Sequence, residues 1–413
     1  MKVKQRLLLV GIFVAMLLAA AGCGGGSTPP PATTGVEGYV YVPANVSGGS
    51  LKAMATSSAP LGYQPLASCT VVVKINNLQF EGMTDANGHF LIQTPPGQGT
   101  VTIIPPPNSL YKEIVLPVDV SGNTAVQLGN SGEISLINKN SSTLNVIVNQ
   151  IDLSQWPAVK VYFSVIDPTD SLPVLGLTAP NFDIKVNHNA VACAISQVDS
   201  SATPISVCLV LDRSGSMAGI PISDLQTAAN SFVDFLKDTD ECEIIDFDDI
   251  ITVTQPFTNV KFLLHTAIND LTARNNTALW DAIYKGVDDT STRSNQRKAV
   301  IAMTDGLNNA SKTYTNASLL NFAIQSKNVP VYTVGLGISI NATDLQSVAT
   351  ATGGEYFNAP TSSELETIYN KLTIRTQQQY RLSFTIPDSP GGSYNLLIKI
   401  NISDIEGSDT IDF

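Results

Sequence analysis

Positive charge is scarce in this sequence. Its 413 residues hold 23 Lys and Arg against 35 Asp and Glu, a formal net charge of −12, and charged residues make up only 14% of the chain. With no basic stripe or arginine-rich segment, a phosphate backbone is repelled, and nucleic acid is excluded as an expected partner. Histidine is scarcer still. His89, His188 and His265 lie far apart, and none has a metal-ligand or triad companion at a recognisable spacing. A Gly-x-Ser-x-Gly elbow and a Gly-x-x-x-x-Gly-Lys phosphate loop are both missing, so no enzymatic activity is expected. Of the five cysteines, Cys69, Cys193, Cys208 and Cys242 show no Cys-x-x-Cys spacing, which argues against zinc and dithiol redox sites. Cys208 and Cys242 lie in apolar strand patterns and read most simply as buried thiols, while disulfide pairing in an oxidising compartment stays open. Long apolar runs are absent with one exception, the fifteen residues Leu7 to Ala21 behind Lys2, Lys4 and Arg6. That run is short for a spanning helix and fits a secretory signal.

The signal ends in "LAAAGCGGGSTPPPATTG". Small residues before a lone cysteine, followed by a Gly/Ser/Pro tether at 24–34, resemble the lipobox of a bacterial lipoprotein. The resemblance implies that residues 1–23 form the lipoprotein signal peptide region, with Cys23 lipidated as the first mature residue. Gly24 after it implies the outer membrane in a Gram-negative cell. Without lipidation, the same segment describes a secreted protein.

From residue 35 to 130, short β patterns alternate with turn signals: "VEGYVYV", "CTVVVKI", "GHFLIQT", "GTVTIIP" and "KEIVLPV". This spacing predicts a small β-sandwich. Within it, "FEGMTDANGHFLIQTPPGQGTVTIIPP" is similar to the carboxypeptidase regulatory-like domain. The resemblance implies a turn at Asp85–Gly88 joining two strands and an inward Phe90. Asp85 and Asn87 carry oxygens suited to calcium, but a hairpin turn needs the same residue types, and the hairpin turn is the reading adopted. The Gly/Ser/Ala-rich stretch Ser47–Pro65 reads as a loose loop. Residues 133–200 supply "EISLI", "TLNVIVNQID", "VKVYFSVID" and "FDIKVN"; residues 377–413 supply "QYRLSFTIP", "YNLLIKINI" and "DTIDF". Neither piece has strands enough to close a sandwich alone. The two are expected to pair into one β-sandwich interrupted by the segment between them.

Residues 203–376 change character. Apolar strands such as "ISVCLVLD", "KAVIAMTD" and "PVYTVGLG" alternate with amphipathic helices. In "ISDLQTAANSFVDFLK" the residues Leu225, Ala228, Ala229, Phe232, Phe235 and Leu236 fall at helical spacing. The alternation predicts a mostly parallel sheet covered on both faces, with ligands at the carboxyl ends of its strands. "DRSGSM" and "TDG" each follow such an end.

"LVLDRSGSM", "NNTALWDAI", "VIAMTDGLNN", "VPVYTVGLG" and "VATATGGEYFNA" are similar, in order and spacing, to the von Willebrand factor type A domain. The resemblance implies a doubly wound, Rossmann-like α/β fold, giving a multidomain chain with flanking β-sandwich domains. It also implies a metal-ion-dependent adhesion site. Carried over position by position, its ligands are Asp212, Ser214, Ser216, Thr277 and Asp305. Asn275 and Asn276 stand where the family usually has glycines. Independent chemistry points the same way. Mg²⁺ takes six oxygens at about 2.1 Å, small hydroxyls on a tight turn approach closely, and Gly215 lets the backbone curl between the serines. The two carboxylates supply charge to match the ion. In the family pattern one coordination position faces solvent, and an acidic residue of a partner completes it. Asp281 reads as a buttress, Asp246, Asp248 and Asp249 as a solvated charge run, and Met217 as packing beneath the site.

These expectations describe a cell-envelope protein, lipid-anchored, that binds a protein ligand offering an acidic residue through Mg²⁺ (or Mn²⁺ or Ca²⁺). The rival is a structural or assembly component of an envelope complex in which the metal is secondary, or a binding subunit for an enzyme encoded elsewhere.

Overall fold

The computed structural model describes residues 34–413 apart from 45–58, 123, 130, 201, 339 and 388–391. The signal segment, Cys23 and nearly all of the tether therefore lie outside the described residues. Nine strands open the described chain: β1 (Gly35–Pro43), β2 (Tyr63–Pro65), β3 (Thr70–Ile75), β4 (Leu78–Met83), β5 (His89–Gln93), β6 (Gly97–Ile104), β7 (Ile114–Val120), β8 (Ala125–Gln127) and β9 (Glu133–Ser135). In one sheet β1 pairs antiparallel with β2 and β5 and parallel with β8 and β9. The other sheet runs β4-β3-β6-β7, antiparallel throughout. Alternation decides which residues face inward. Val71, Val73, Val101 and Ile103 of one sheet join Val36, Val40, Phe90 and Ile92 of the other in one buried cluster.

Three sequence expectations change here. Tyr63–Pro65, expected in a loose loop, is a strand on β1. The "EISLI" segment is expected in the second β unit, yet Glu133–Ser135 adds to β1, because a strand this short pairs wherever an open edge lies next to it. The Asp85–Gly88 turn does not close a hairpin. It carries the chain from β4 in one sheet to β5 in the other, with Asp85 Oδ1 accepting the N–H groups of Asn87 (2.8 Å) and His89 (2.9 Å) and Gly88 at φ 73°.

The next strands are β10 (Asn145–Gln155), β11 (Ala158–Asp167), β12 (Leu172–Pro173), β13 (Phe182–Val186), β14 (Asn189–Ala190) and β15 (Cys193–Gln197). They share two sheets with strands from the far end of the chain. β22 (Tyr380–Thr385) lies between β11 and β15, and β23 (Asn395–Ile402) lies between β13 and β24 (Ile405–Asp412). The outer edge of β10 is partly covered by side chains: Asp409 and Asn328 accept the N–H groups of Val148 and Ile151, each at 2.9 Å, which blunts an otherwise open edge.

Between these pieces lies a six-stranded sheet, ordered β18-β17-β16-β19-β20-β21. Its strands are β16 (Ile205–Asp212), β17 (Glu241–Phe247), β18 (Ile251–Thr258), β19 (Arg297–Thr304), β20 (Val331–Leu336) and β21 (Tyr356–Ala359). All are parallel except β18. β16 is buried along its whole length, as expected for a central strand with helices on both faces. The helices are α1 (Ile220–Phe235), α2 (Lys261–Asn269), α3 (Leu279–Ser291), α4 (Ala317–Ile324), α5 (Ala342–Ala351) and α6 (Leu365–Gln377). α1, α2 and α6 send Phe232, Leu264 and Tyr369 into one core; α3, α4 and α5 send Ile283, Leu320 and Val348 into the other. From β16 the chain moves first to β17 on one side, then returns past it to β19 on the other. That reversal opens a crevice at the carboxyl ends of β16 and β19.

Candidate metal centre

The crevice is where "DRSGSM" and "TDG" come together. Asp212, the last residue of β16, is fully buried. Its Oδ1 accepts the Ser214 N–H at 2.7 Å, an Asx-type turn, and its other oxygen accepts the Thr304 hydroxyl from the end of β19. Ser214 Oγ lies 3.2 Å from Ser216 Oγ, and Ser216 Oγ donates to Asp305 Oδ1 at 2.7 Å across 89 positions of sequence. Thr277, buried, comes from a separate loop. A Cβ placed on Gly306 would sit 3.3 Å from Thr277 Oγ1 and 3.8 Å from Ser216 Oγ, so the absence of a side chain there lets the loops close on one another.

The loops are tied by backbone. Gly215 N–H donates to Asn275 O (3.0 Å) and Arg274 N–H to Arg213 O (2.8 Å). Asn309 Oδ1 accepts the Thr277 N–H at 2.8 Å, and Asn309 N–H returns a bond to Thr277 O at 3.0 Å. Asn275 sits at φ 60°, in the left-handed region. Asparagine tolerates that region better than most residues, which explains how the loop forms without the family's glycine.

Burial pushes the Asp212 carboxyl up to about 6; bonds from Thr304 and Ser214 oppose the rise and the charge of Asp305 adds to it. Asp305 is also raised, by burial. The donor set consists of three hydroxyls and two carboxylates, all hard oxygens, and two acids crowded in a buried crevice favour a divalent cation. Among the described residues no group of three or more His, Cys, Asp or Glu gathers in a metal-binding arrangement, so any ion held here meets a hydroxyl-rich shell.

The expected solvated run at 246–249 is overturned. Asp246 and Asp248 are buried because two arginines accompany them: Arg213 Nε lies 2.8 Å from Asp246, and Arg274 Nε 2.7 Å from Asp248. Burial raises the Asp248 carboxyl, but the Ile250 N–H and the Arg274 guanidinium outweigh it and hold the group below its ordinary value. Asp248 O also accepts the Ala278 N–H at 2.7 Å, tying the end of the Thr277 loop, at the start of α3, to the loop after β17. Sequence reasoning missed this support, although two arginines within the motif loops were the available signal. Asp281 accepts the N–H groups of Lys312 and Tyr314, each at 2.7 Å, and so props the loop after Asp305. Met217 is buried beneath. The histidines take no part: His89 pairs with Glu37, and His265 with Asp234 and Asn230. Cys69, Cys193, Cys208 and Cys242 are free thiols.

Residues 206–371 match the family model of the von Willebrand factor type A domain, and this segment is such a domain. Proteins of this family are typically interaction modules, and its domains bind a divalent metal at an adhesion site. The chain is 28% identical over 176 residues to an uncharacterized protein of Synechocystis sp., a match covering 42% of this chain and 41% of that one. It thus spans less than half the length of that relative. Among solved structures, proximal thread matrix protein 1 from the mussel byssus, with zinc in its adhesion-site motif, is 19% identical over 45% of this chain and 49% of that chain, at a TM-score of 0.40. A von Willebrand factor type A protein from Catenulispora acidiphila is 12% identical, over 67% of this chain and 75% of that one, at a TM-score of 0.39. No helix among the described residues is long and apolar enough to cross a membrane.

Proposed function

We propose that this chain is a cell-envelope protein, held by a lipid on Cys23, that binds a protein ligand through a divalent cation in its von Willebrand factor type A domain. In this reading Asp212, Ser214, Ser216, Thr277 and Asp305 hold the ion, with Mg²⁺ the expected occupant and Mn²⁺ or Ca²⁺ as substitutes. The residues at 35–130 serve as a carboxypeptidase regulatory-like spacer between anchor and binding domain. A bound divalent ion supplies a Lewis-acid position for an outside carboxylate. The chain's own residues do the rest: Asp212 and Asp305 set the charge, and the hydroxyls supply weak neutral donors that leave an appetite for that carboxylate. Ser216 is exposed, while Asp212, Ser214 and Thr277 are buried, so an incoming ligand approaches from the Ser216 and Asp305 side.

The observation that carries the reading is the Ser216–Asp305 hydrogen bond, which brings together two motifs 89 residues apart. Mn²⁺ titration followed by electron paramagnetic resonance is the test. One ion is expected per chain, and Asp212→Asn, which keeps the side-chain shape, is expected to weaken it at least tenfold. A chain that takes up no ion, or a variant that binds it unchanged, defeats the proposal.

A further inference from the structure

Two neighbouring helices are joined in sequence to the two halves of the candidate metal centre. α1 begins at Ile220, four residues after Ser216, and α2 ends at Asn269, eight residues before Thr277. The helices share a core through Leu225 and Phe232 of α1 and Leu264 and Ile268 of α2. They run in opposite directions: Lys261 Nζ at the start of α2 donates to Asp234 O near the end of α1, at 2.7 Å. Alongside that core lies a polar seam. Gln226, Asn230 and Asp234 recur every four residues and so form one stripe of α1. Asn230 Nδ2 donates to Asn269 Oδ1 at 2.8 Å, Asn230 Oδ1 lies 2.6 Å from His265 Nδ1, and His265 Nε2 lies 3.1 Å from Asp234 Oδ1.

Gln226 closes the end of the seam nearest the centre. Its Nε2 donates to the carbonyls of Ile268, Asn269 and Leu271 at 3.1, 3.0 and 3.2 Å. The last carbonyls of a helix have no partner within it, and here the amide of a neighbouring helix shares its two N–H groups among them. Leu271 already belongs to the loop that carries Thr277. Further along that loop Arg274 N–H bonds Arg213 O, and Asn275 O accepts the Gly215 N–H. The loop is thus tied at its root to α1 and at its middle to the serine turn from which α1 leads. We infer that Gln226 is a positioning residue for the metal centre: by holding Leu271 against α1 it sets where Thr277 stands relative to Ser214 and Ser216, and with that the affinity for a divalent ion. This rests on the metal-binding reading above.

Mn²⁺ titration of the full chain by electron paramagnetic resonance, with thermal melting alongside, is the test. Gln226→Met keeps the length of the side chain and removes the donor, and Mn²⁺ affinity is expected to fall about fivefold, the weight of one net hydrogen bond. Gln226→Lys returns a donor to the same carbonyls and is expected to recover affinity to within about twofold of the native chain. Asn230→Ala opens the seam farther from the centre with Gln226 in place, and is expected to weaken uptake about threefold. Thr352→Val is the control for lost stability alone. It removes a hydroxyl that accepts the Val331 N–H at 2.9 Å, at the end of β20 away from the centre, and should lower the melting temperature with Mn²⁺ uptake unchanged. Native affinity in Gln226→Met or Asn230→Ala, a Gln226→Lys chain no tighter than Gln226→Met, or an equal loss in Thr352→Val overturns the inference. A native chain that takes up no ion removes the reading beneath it, whereas native uptake that the seam variants leave intact removes only this inference.

Discussion

At Asn275 the backbone takes φ 60°, and its carbonyl accepts the Gly215 N–H that closes the serine turn. Replacing Asn275 with alanine strains that conformation and should cost about 1 kcal/mol, whereas Asn275→Gly should not. Urea melts of both variants check this. Glu243, buried on β17 with Oε2 lacking a hydrogen-bond partner, has its carboxyl pushed up from 4.5 to about 7 by burial and, secondarily, by the charge of Asp289. An acid raised on folding binds its proton more tightly in the native chain. Its contribution to stability is therefore complete below about pH 4 and lost as pH rises through about 7, on the order of 3 kcal/mol at most. Glu243→Gln should remove that slope, so the variant gains on the native chain between pH 5 and 8 in melts run across that range. Nothing in the sequence signals this group's state, because a lone Glu in a strand reads the same whether its neighbours are Cys208 and Asp289 or water.

Apart from Asp212 at the end of β16, the candidate ligands sit on the turns and loops that follow strands, and their shape depends on supports outside the motif. Asp248 binds Arg274 and Ile250 with its side chain and Ala278 with its carbonyl. Asp248→Ala should leave Arg213 and Arg274 poorly paired and cost about 3 kcal/mol or more, while also weakening Mn²⁺ uptake through the displaced Thr277 loop. Thermal melting and metal titration of this variant report the two effects separately. At this scale the alternation of apolar strands with amphipathic helices was plain in the sequence, because a period of 2 and a period of 3.6 leave different apolar patterns. The burial of Asp246 and Asp248 was not. A charge run stays solvated unless opposite charge accompanies it inward, and only the fold brings Arg213 and Arg274 alongside.

For the whole molecule, the von Willebrand factor type A domain is seated on the β units through its last helix. Arg375 of α6 is buried; its Nε and Nη2 donate to Ser171 O at 3.1 and 2.9 Å, its Nη1 pairs with Glu355, and its guanidinium lies 5.1 Å over the Phe357 ring. Ile374 next to it packs with Tyr41, Tyr63 and Leu172. Gln150 of β10 and Tyr162 of β11 reach Gln296. Arg375→Ala should cost about 3–5 kcal/mol and separate the unfolding of the two parts, resolved by differential scanning calorimetry as two transitions where one is expected for the native chain. α6 ends at Gln377, and β22 starts at Tyr380 between β11 and β15, so the binding domain and the second β unit share a covalent strut.

The order of apolar strands and helices, and the Asp-x-Ser-x-Ser and Thr-Asp-Gly motifs at two strand ends, follow from the linear sequence because local periodicity and turn chemistry act between neighbours in the chain. Where Glu133–Ser135 pairs, which sheets β22 and β23 enter, and how Ser216 meets Asp305 were settled only in three dimensions. Those contacts join residues far apart in sequence, and their partners are chosen by shared edges, buried charge and the direction in which the chain turns at β16.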